Sequence, residues 1–246
     1  MKADLETAPC DNRERLAAAK KLFERMGASE SDISIDHYRF VENLSLRKQG
    51  DGPDTIILGA HYDKVPKGCG AVDNWSGVVT VAHVYKTLHD SQLNKTLLFV
   101  MFGKEEEGLR GSKAMVKSMS EDQMSQVCAM INVDSLGMGA PQVAENLANK
   151  KLLWRVKGLA KALNFPFGEA PVPGDSDSSS FLAKKIPAVT IHGLTNDFRK
   201  VLHTDNDRAA AANAESLYLN YRLIVELITS LDATDCAVWR ESPSAP

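Results

Sequence analysis

Three short stretches of the chain, Thr55–Ala60, Thr96–Phe102 and Val127–Val133, are apolar almost throughout. A strand with one wet face alternates apolar and polar residues, whereas a strand covered on both faces has no polar side to show. Three such runs call for a sheet with layers packed on both sides. The intervening segments supply them. Val78, Val81, Ala82, Tyr85 and Leu88 recur at helical spacing after the first run, and Ser112–Met119 reads as a short helix after the second. The expected fold class is α/β: a three-layer α/β/α sandwich around a mixed, mostly parallel central sheet.

The flanking segments extend this pattern. Asn12–Met26 carries Leu16, Ala19, Leu22 and Phe23 on one helical face, with Gly27 as its stop. Ile33–Phe40 and Asn43–Lys48 read as extended, with a turn at Gly50-Asp51-Gly52-Pro53. Helices are expected over Lys150–Leu163 and Ala214–Leu231, and a fourth short strand over Ala188–Ile191. There is no internal repeat and no Pro- or Gly-rich linker. Residues 1–246 are therefore expected to form one domain, with a core over 12–232 and a disordered tail at 241–246.

Composition narrows the partners. At 43% hydrophobic and 25% charged residues the chain has ample core for a soluble domain. A net charge of −3 without a Lys/Arg cluster argues against nucleic acid or an anionic membrane as partner. No apolar stretch approaches the roughly 20 residues of a membrane span. The first thirty residues lack the apolar core of a signal peptide. The simplest expectation is a cytoplasmic protein, although trimming of a leader would leave the same sequence. Cys10, Cys69, Cys128 and Cys236 are scattered with no C-x-x-C, so they are expected to be reduced and non-catalytic, with Cys128 in the core.

The informative residues follow the apolar runs. His61 and Asp63 come after the first, Glu105, Glu106 and Glu107 after the second, Asp134 after the third, and His203 beyond the fourth strand. Asp73 stands just before a helix. In open α/β sheets the ligand crevice lies outside the carboxyl ends of the strands, so these side chains share one edge. Each alone has an ordinary explanation: Asp73 as a helix cap, the glutamates as a solvated face, a loop histidine in water. Together, so many carboxylates at one edge repel each other unless cations neutralise them. Two imidazoles and several carboxylates without a thiolate suit zinc, with cobalt or manganese as substitutes. They are too many for one tetrahedral ion, but two ions about 3.5–4 Å apart sharing a carboxylate would use them all.

The order H-Y-D, D-N-W-S-G, E-E-x-G-L-x-G-S, N-x-D and H-T-x-x-D, spread over residues 43–231, resembles the co-catalytic di-zinc aminopeptidases. Glutamate carboxypeptidases and glutaminyl cyclases belong to the same family. The resemblance implies a zinc-exopeptidase fold. It makes Asp73 the carboxylate shared by both metals, with His61 and Asp134 completing one site and Glu106 and His203 the other. Glu105 would be the general base acting on a metal-bridging water, and Asp63 would bond the far nitrogen of His61. Asp207 would support the site, Glu107 falls on a variable position, and the peptide after Asp73 is expected to be cis. The implied substrate is a peptide with a free N-terminus.

The chain departs from the family pattern at Trp75, where a small residue is frequent, and at Ser178, where S-D-H is usual. Trp75 either narrows the pocket or packs beneath it. His37, His83, His89 and His192 have no place in the pattern and are expected on the surface or in the core. Two alternatives remain on the same scaffold, a cyclase with one zinc and a carboxypeptidase with Arg199 and Lys200 as its pocket cations. A non-catalytic binding module is the rival from another class, but such modules have lost ligands, whereas this chain keeps the ligand set and Glu105.

Overall fold

The computed structural model describes residues 1–240, so the tail expected at 241–246 lies outside the described residues. The strands are β1 (Ile33–Tyr38), β2 (Val41–Lys48), β3 (Thr55–His61), β4 (Thr96–Phe102), β5 (Val127–Val133), β6 (Gln142–Ala148), β7 (Gly168–Ala170) and β8 (Ala188–His192). The helices are α1 (Lys2–Leu5), α2 (Asn12–Arg25), α3 (Ser76–Leu88), α4 (Arg110–Ser118), α5 (Glu121–Gln126), α6 (Lys150–Ala162), α7 (Ser178–Leu182) and α8 (Ala214–Asp232).

Successive side chains of a strand point to opposite faces, and both faces of this sheet are covered. Ile56, Leu58, Phe99 and Ile131 pack with Phe23 of α2, Val78 of α3, Val156 of α6 and Ile224 of α8. Ile57, Val100, Phe102 and Met130, at the alternate positions of the same strands, pack the other way, with Val116 of α4 and Phe181 of α7. Burying each such side chain contributes about 1.5–3 kcal/mol, which explains why the central strands are apolar along most of their length. The expected three layers are present.

All eight strands form one sheet in the order β1-β2-β4-β3-β5-β8-β6-β7. The central β4, β3, β5 and β8 are parallel, while β1–β2, β2–β4 and β6–β8 pair antiparallel. The chain leaves β3 for β4 on one side and returns past it to β5 on the other. That reversal opens a crevice at the carboxyl end of β3.

Elements expected from the apolar pattern are found within a residue or two of their predicted ends. Those without a pattern are additions: α1, α5, α7 and the strands β6 and β7. The β6 sequence QVAENLA exposes Glu145 and Asn146, and its pairing with β8 shifts register between Val143 and Ala148. An irregular, half-exposed strand leaves no clean alternation to detect.

The expectation of reduced cysteines is corrected. Cys10 is bonded to Cys69 and Cys128 to Cys236, across sequence separations of 59 and 108. Scattered spacing carries no pairing signal, because only the fold brings such partners together. Cys128 does sit in the core of β5, as expected. Alkylation of the unfolded, unreduced protein is expected to label none of the four thiols, and alkylation after reduction all four. Labelling before reduction would break the assignment.

Candidate metal centre

Because β4, β3, β5 and β8 run in one direction, their carboxyl ends lie along one edge. His61 ends β3, Glu105 and Glu106 follow β4, Asp134 follows β5, and His203 belongs to the loop after β8. Asp73 enters from the segment leading into α3. Lys104, Ser135 and His203 adopt left-handed backbone, with φ of 55°, 56° and 61°. Non-glycine residues rarely do so, and they concentrate where side-chain direction matters more than backbone comfort.

The structure brings together all five residues expected as ligands. One Asp73 oxygen lies 3.1 Å from His61 Nε2 and the other 3.1 Å from His203 Nε2. Asp134 Oδ1 stands 3.6 Å from His61 Nε2, and Glu106 Oε2 stands 3.3 Å from His203 Nε2. Two groups result, His61–Asp73–Asp134 and Asp73–Glu106–His203, each with its ligand atoms within 4.8 Å of one another. Asp73 belongs to both. Glu105 and Glu106 also approach His61 within that distance.

The electrostatics ask for positive charge at two points. Burial alone would lower the His61 pKa, but Glu105, Asp134, Asp63 and Asp73 carry it well above its ordinary value. Hydrogen bonds to Asp73 and Glu106 push His203 up to about 10. Asp73 resists the opposite pull of burial and is held well below the carboxylate range by both imidazoles. Glu106 Oε1 is buried without a hydrogen-bond partner, a costly position for a carboxylate oxygen unless a cation meets it. Two imidazoles and three carboxylates without a thiolate are a donor set that fits zinc.

The candidate ligands are held from behind. Asp207 accepts the backbone N–H groups of Val72 at 2.7 Å and Asp73 at 3.2 Å. Asn74 follows Asp73 through a cis peptide bond, as the resemblance implies. Its side chain donates to Val133 O at 2.8 Å and accepts the N–H groups of Gly77 and Ser135 at 3.0 and 3.1 Å. Those bonds tie the Asp73 segment to the end of β5. A Cβ at position 77 would stand 2.7 Å from Val133 O, so this approach requires glycine. Ser176 donates to Asp134 Oδ2 at 2.7 Å and accepts from Asn132 at 2.6 Å.

Asp63 acts through two different atoms. The nearest partner of His61 Nδ1 is the Asp63 backbone carbonyl at 3.2 Å, with the carboxylate at 3.7 Å. That carboxylate accepts the N–H groups of Glu105 and Glu106 at 2.9 and 3.2 Å. So the carbonyl orients His61, leaving Nε2 toward the other carboxylates, and the side chain anchors the glutamate loop.

The three glutamates separate in space. Glu106 points to His203. Glu105 lines the cavity, where burial pushes its carboxyl up to about 9, with His61 opposing and Asp177, Asp134 and Asp73 adding. Glu107 is exposed, 3.6 Å from Lys104 and 3.4 Å from Arg110.

The cavity above these residues has a volume of about 740 Å³, with Leu109, Leu194, Phe198 and Leu202 on its walls and Lys113 and Arg199 beside them. Lys200 instead pairs with Asp197 at 2.6 Å. Trp75 packs beneath the site, buried, and donates to the Asp4 carbonyl. Ser178 is buried against Thr190 at 2.7 Å, apart from the cavity lining. His37 and His89 lie toward the surface beside Glu42 and Asp90, and His83 is half-buried beside Asp4.

Two residues escape sequence reasoning. His192 is buried and lines the cavity; its Nδ1 accepts the Leu194 N–H, and burial lowers its pKa to about 4. Asp177 is fully buried with neither oxygen partnered, and burial pushes it up to about 7 against the pull of His61. Only the S-D element hinted at Asp177. Nothing in the pattern marks His192.

Known proteins share this arrangement of chain. Leucine aminopeptidase 2 of Trichophyton rubrum is 26% identical over 254 residues, covering 85% of this chain and 49% of that protein. The aminopeptidase of Aneurinibacillus sp. strain AM-1 matches with a TM-score of 0.70 at 26% identity, over 82% of this chain and 50% of that one. A glutaminyl cyclase from an Acidobacteriales bacterium shares the fold with a TM-score of 0.77 at 18% identity, over 94% of this chain and 92% of that one. This chain spans about half the length of the curated relatives it matches. The model of peptidase family M28 matches residues 43–228, a span that includes both residue groups built around Asp73. The chain belongs to peptidase family M28.

Proposed function

We propose that the chain is a zinc-dependent aminopeptidase, an exopeptidase that hydrolyses the N-terminal residue of peptides. The observation that carries this reading is Asp73, which sets one carboxylate oxygen against each of two imidazoles. Membership of the family and the aminopeptidases among its relatives support it. His61 and Asp134 complete one zinc site and Glu106 and His203 the other. Cobalt or manganese suits the same donors.

Zinc held there supplies Lewis acidity and eases the ionisation of water. The rest falls to the chain's own groups. Glu105 is the general base: it takes the proton of the attacking water and hands it to the leaving amine. Its raised pKa arises from burial among carboxylates, and with zinc held by those carboxylates Glu105 would regain the ionised form a base needs. The same carboxylates give a free α-amine an anionic setting, which supports exopeptidase action on peptides with a free N-terminus.

We also propose that the protein works in an oxidising compartment rather than the cytoplasm. The two cysteine pairs support this, since structural disulfides persist where thiols are not kept reduced.

Replacing Glu105 with Gln is expected to leave zinc content unchanged while amino-acid amide hydrolysis falls by about 10²–10⁴-fold. Glu107→Gln is expected to stay within about 0.5 kcal/mol of the parent in stability and to keep its activity. If the roles of these two residues were exchanged, the register of the motif would be wrong.

Acetylating the N-terminus of a peptide substrate is expected to abolish cleavage, read by chromatography of the products. Cleavage of acetylated peptides would point to carboxypeptidase or endopeptidase action. Ammonia release with ring closure of N-terminal glutamine, and no hydrolysis, would point to a cyclase.

A further inference from the structure

Arg15 lies in the second turn of α2, on the face that also buries Ala19, Leu22 and Phe23, and no part of it reaches solvent. Arginine is almost never fully buried without a defined partner set. Here every acceptor is a backbone carbonyl. Nε donates to Tyr62 O; one terminal nitrogen donates to Pro9 O and Cys69 O, both at 2.8 Å, and the other to Gly70 O at 3.1 Å. Tyr62 stands between His61 and Asp63, and Gly70 stands three residues before Asp73. The guanidinium also lies 5.1 Å from the Trp75 ring centre, two residues past Asp73.

We infer that Arg15 is a positioning residue of the metal centre, holding the His61 segment and the Asp73 segment at a fixed separation. This rests on the two-zinc reading of the site. A planar fork of five N–H donors can bond the carbonyls of two loops at once. Alternatives to this role differ in sign. A buried cation close to bound zinc also repels it, so a residue acting mainly by charge would weaken metal binding. A residue acting by geometry strengthens it. The carbonyl partners favour geometry, because four directed bonds constrain the loops in a way that a diffuse charge does not.

The surroundings keep a variant testable. Asn12, one turn earlier on α2, pairs with both backbone groups of Lys64, at 2.7 and 2.9 Å, and the Cys10–Cys69 bond closes the same region. Both ties remain when Arg15 is changed. Arg15→Lys keeps the charge but has three donors on one nitrogen; Arg15→Met removes charge and donors together.

The test measures zinc affinity by competition with a chelator, and the visible spectrum of the cobalt-loaded protein, for the parent and both variants. Far-ultraviolet circular dichroism checks the fold. Arg15→Lys is expected to weaken zinc binding by about 10–100-fold, the range for residues that orient metal ligands, and to alter the cobalt spectrum. Arg15→Met is expected to weaken it at least as much. Parent affinity and an unchanged spectrum in folded Arg15→Lys would overturn the inference, leaving Arg15 purely structural. Tighter zinc binding by Arg15→Met would overturn it in favour of charge. Absence of zinc binding by the parent would instead bring down the two-zinc reading itself, a distinguishable failure.

Discussion

The Asp73 carboxylate, set between two imidazoles, is the contact on which the rest of the site depends. His61 and His203 come from segments far apart in sequence and meet only through it. The molecule spends many bonds on placing that one side chain. Asp207 receives the N–H groups of Val72 and Asp73, Asn74 bridges to β5, and Ser76 accepts the N–H of Leu136. The D-N-W-S-G element is thus a set of anchors around a single acid. Asp is the first residue, Asn and Ser cross-link, Trp packs below, and Gly admits the neighbouring strand.

The constraint brings an electrostatic cost. Asp63, Asp73, Glu105, Glu106, Asp134, Asp177 and Asp207 converge at one end of the sheet, and like charges there disfavour ionisation. Different members are relieved in different ways. Asp63 accepts two backbone N–H groups, Asp134 accepts two serine hydroxyls, and Asp73 faces imidazoles. Asp207 is less relieved: burial raises its pKa to about 6 despite its backbone bonds. Burial lowers the pKa of Arg15 to about 10, where it remains charged at neutral pH beneath the cluster. What is left over is negative potential concentrated around Asp73 and the two imidazoles, as the proposed zinc sites require and a solvated acidic face would not show.

Much of this was legible in the residues because two signals coincide. Largely apolar runs located β3, β4 and β5, and the polar residues after each run located the candidate site, since topology forces parallel strand ends together. The resemblance then distinguished the three glutamates, a distinction that spacing alone does not make. Three things stayed hidden for physical reasons. The disulfides join residues whose proximity exists only in the fold. Nothing in the sequence marks Arg15, because its acceptors are carbonyls that leave no trace in side-chain pattern. His192 ends a buried strand as any filler could, and its place in the cavity depends on where the loop after β8 turns. Asp63 was found by the motif, yet its carboxylate serves the glutamate loop more directly than it serves His61.

The account stands on Asp73 serving two ions at once, and zinc stoichiometry in single variants tests that most directly. Equilibrium dialysis of the parent, Asp73→Asn and Asp134→Asn against buffered zinc gives the number of ions bound at the parent's affinity. A shared carboxylate predicts two for the parent, one for Asp134→Asn and none for Asp73→Asn. A parent that saturates at one ion, or an Asp73→Asn protein that keeps one at full affinity, would contradict it.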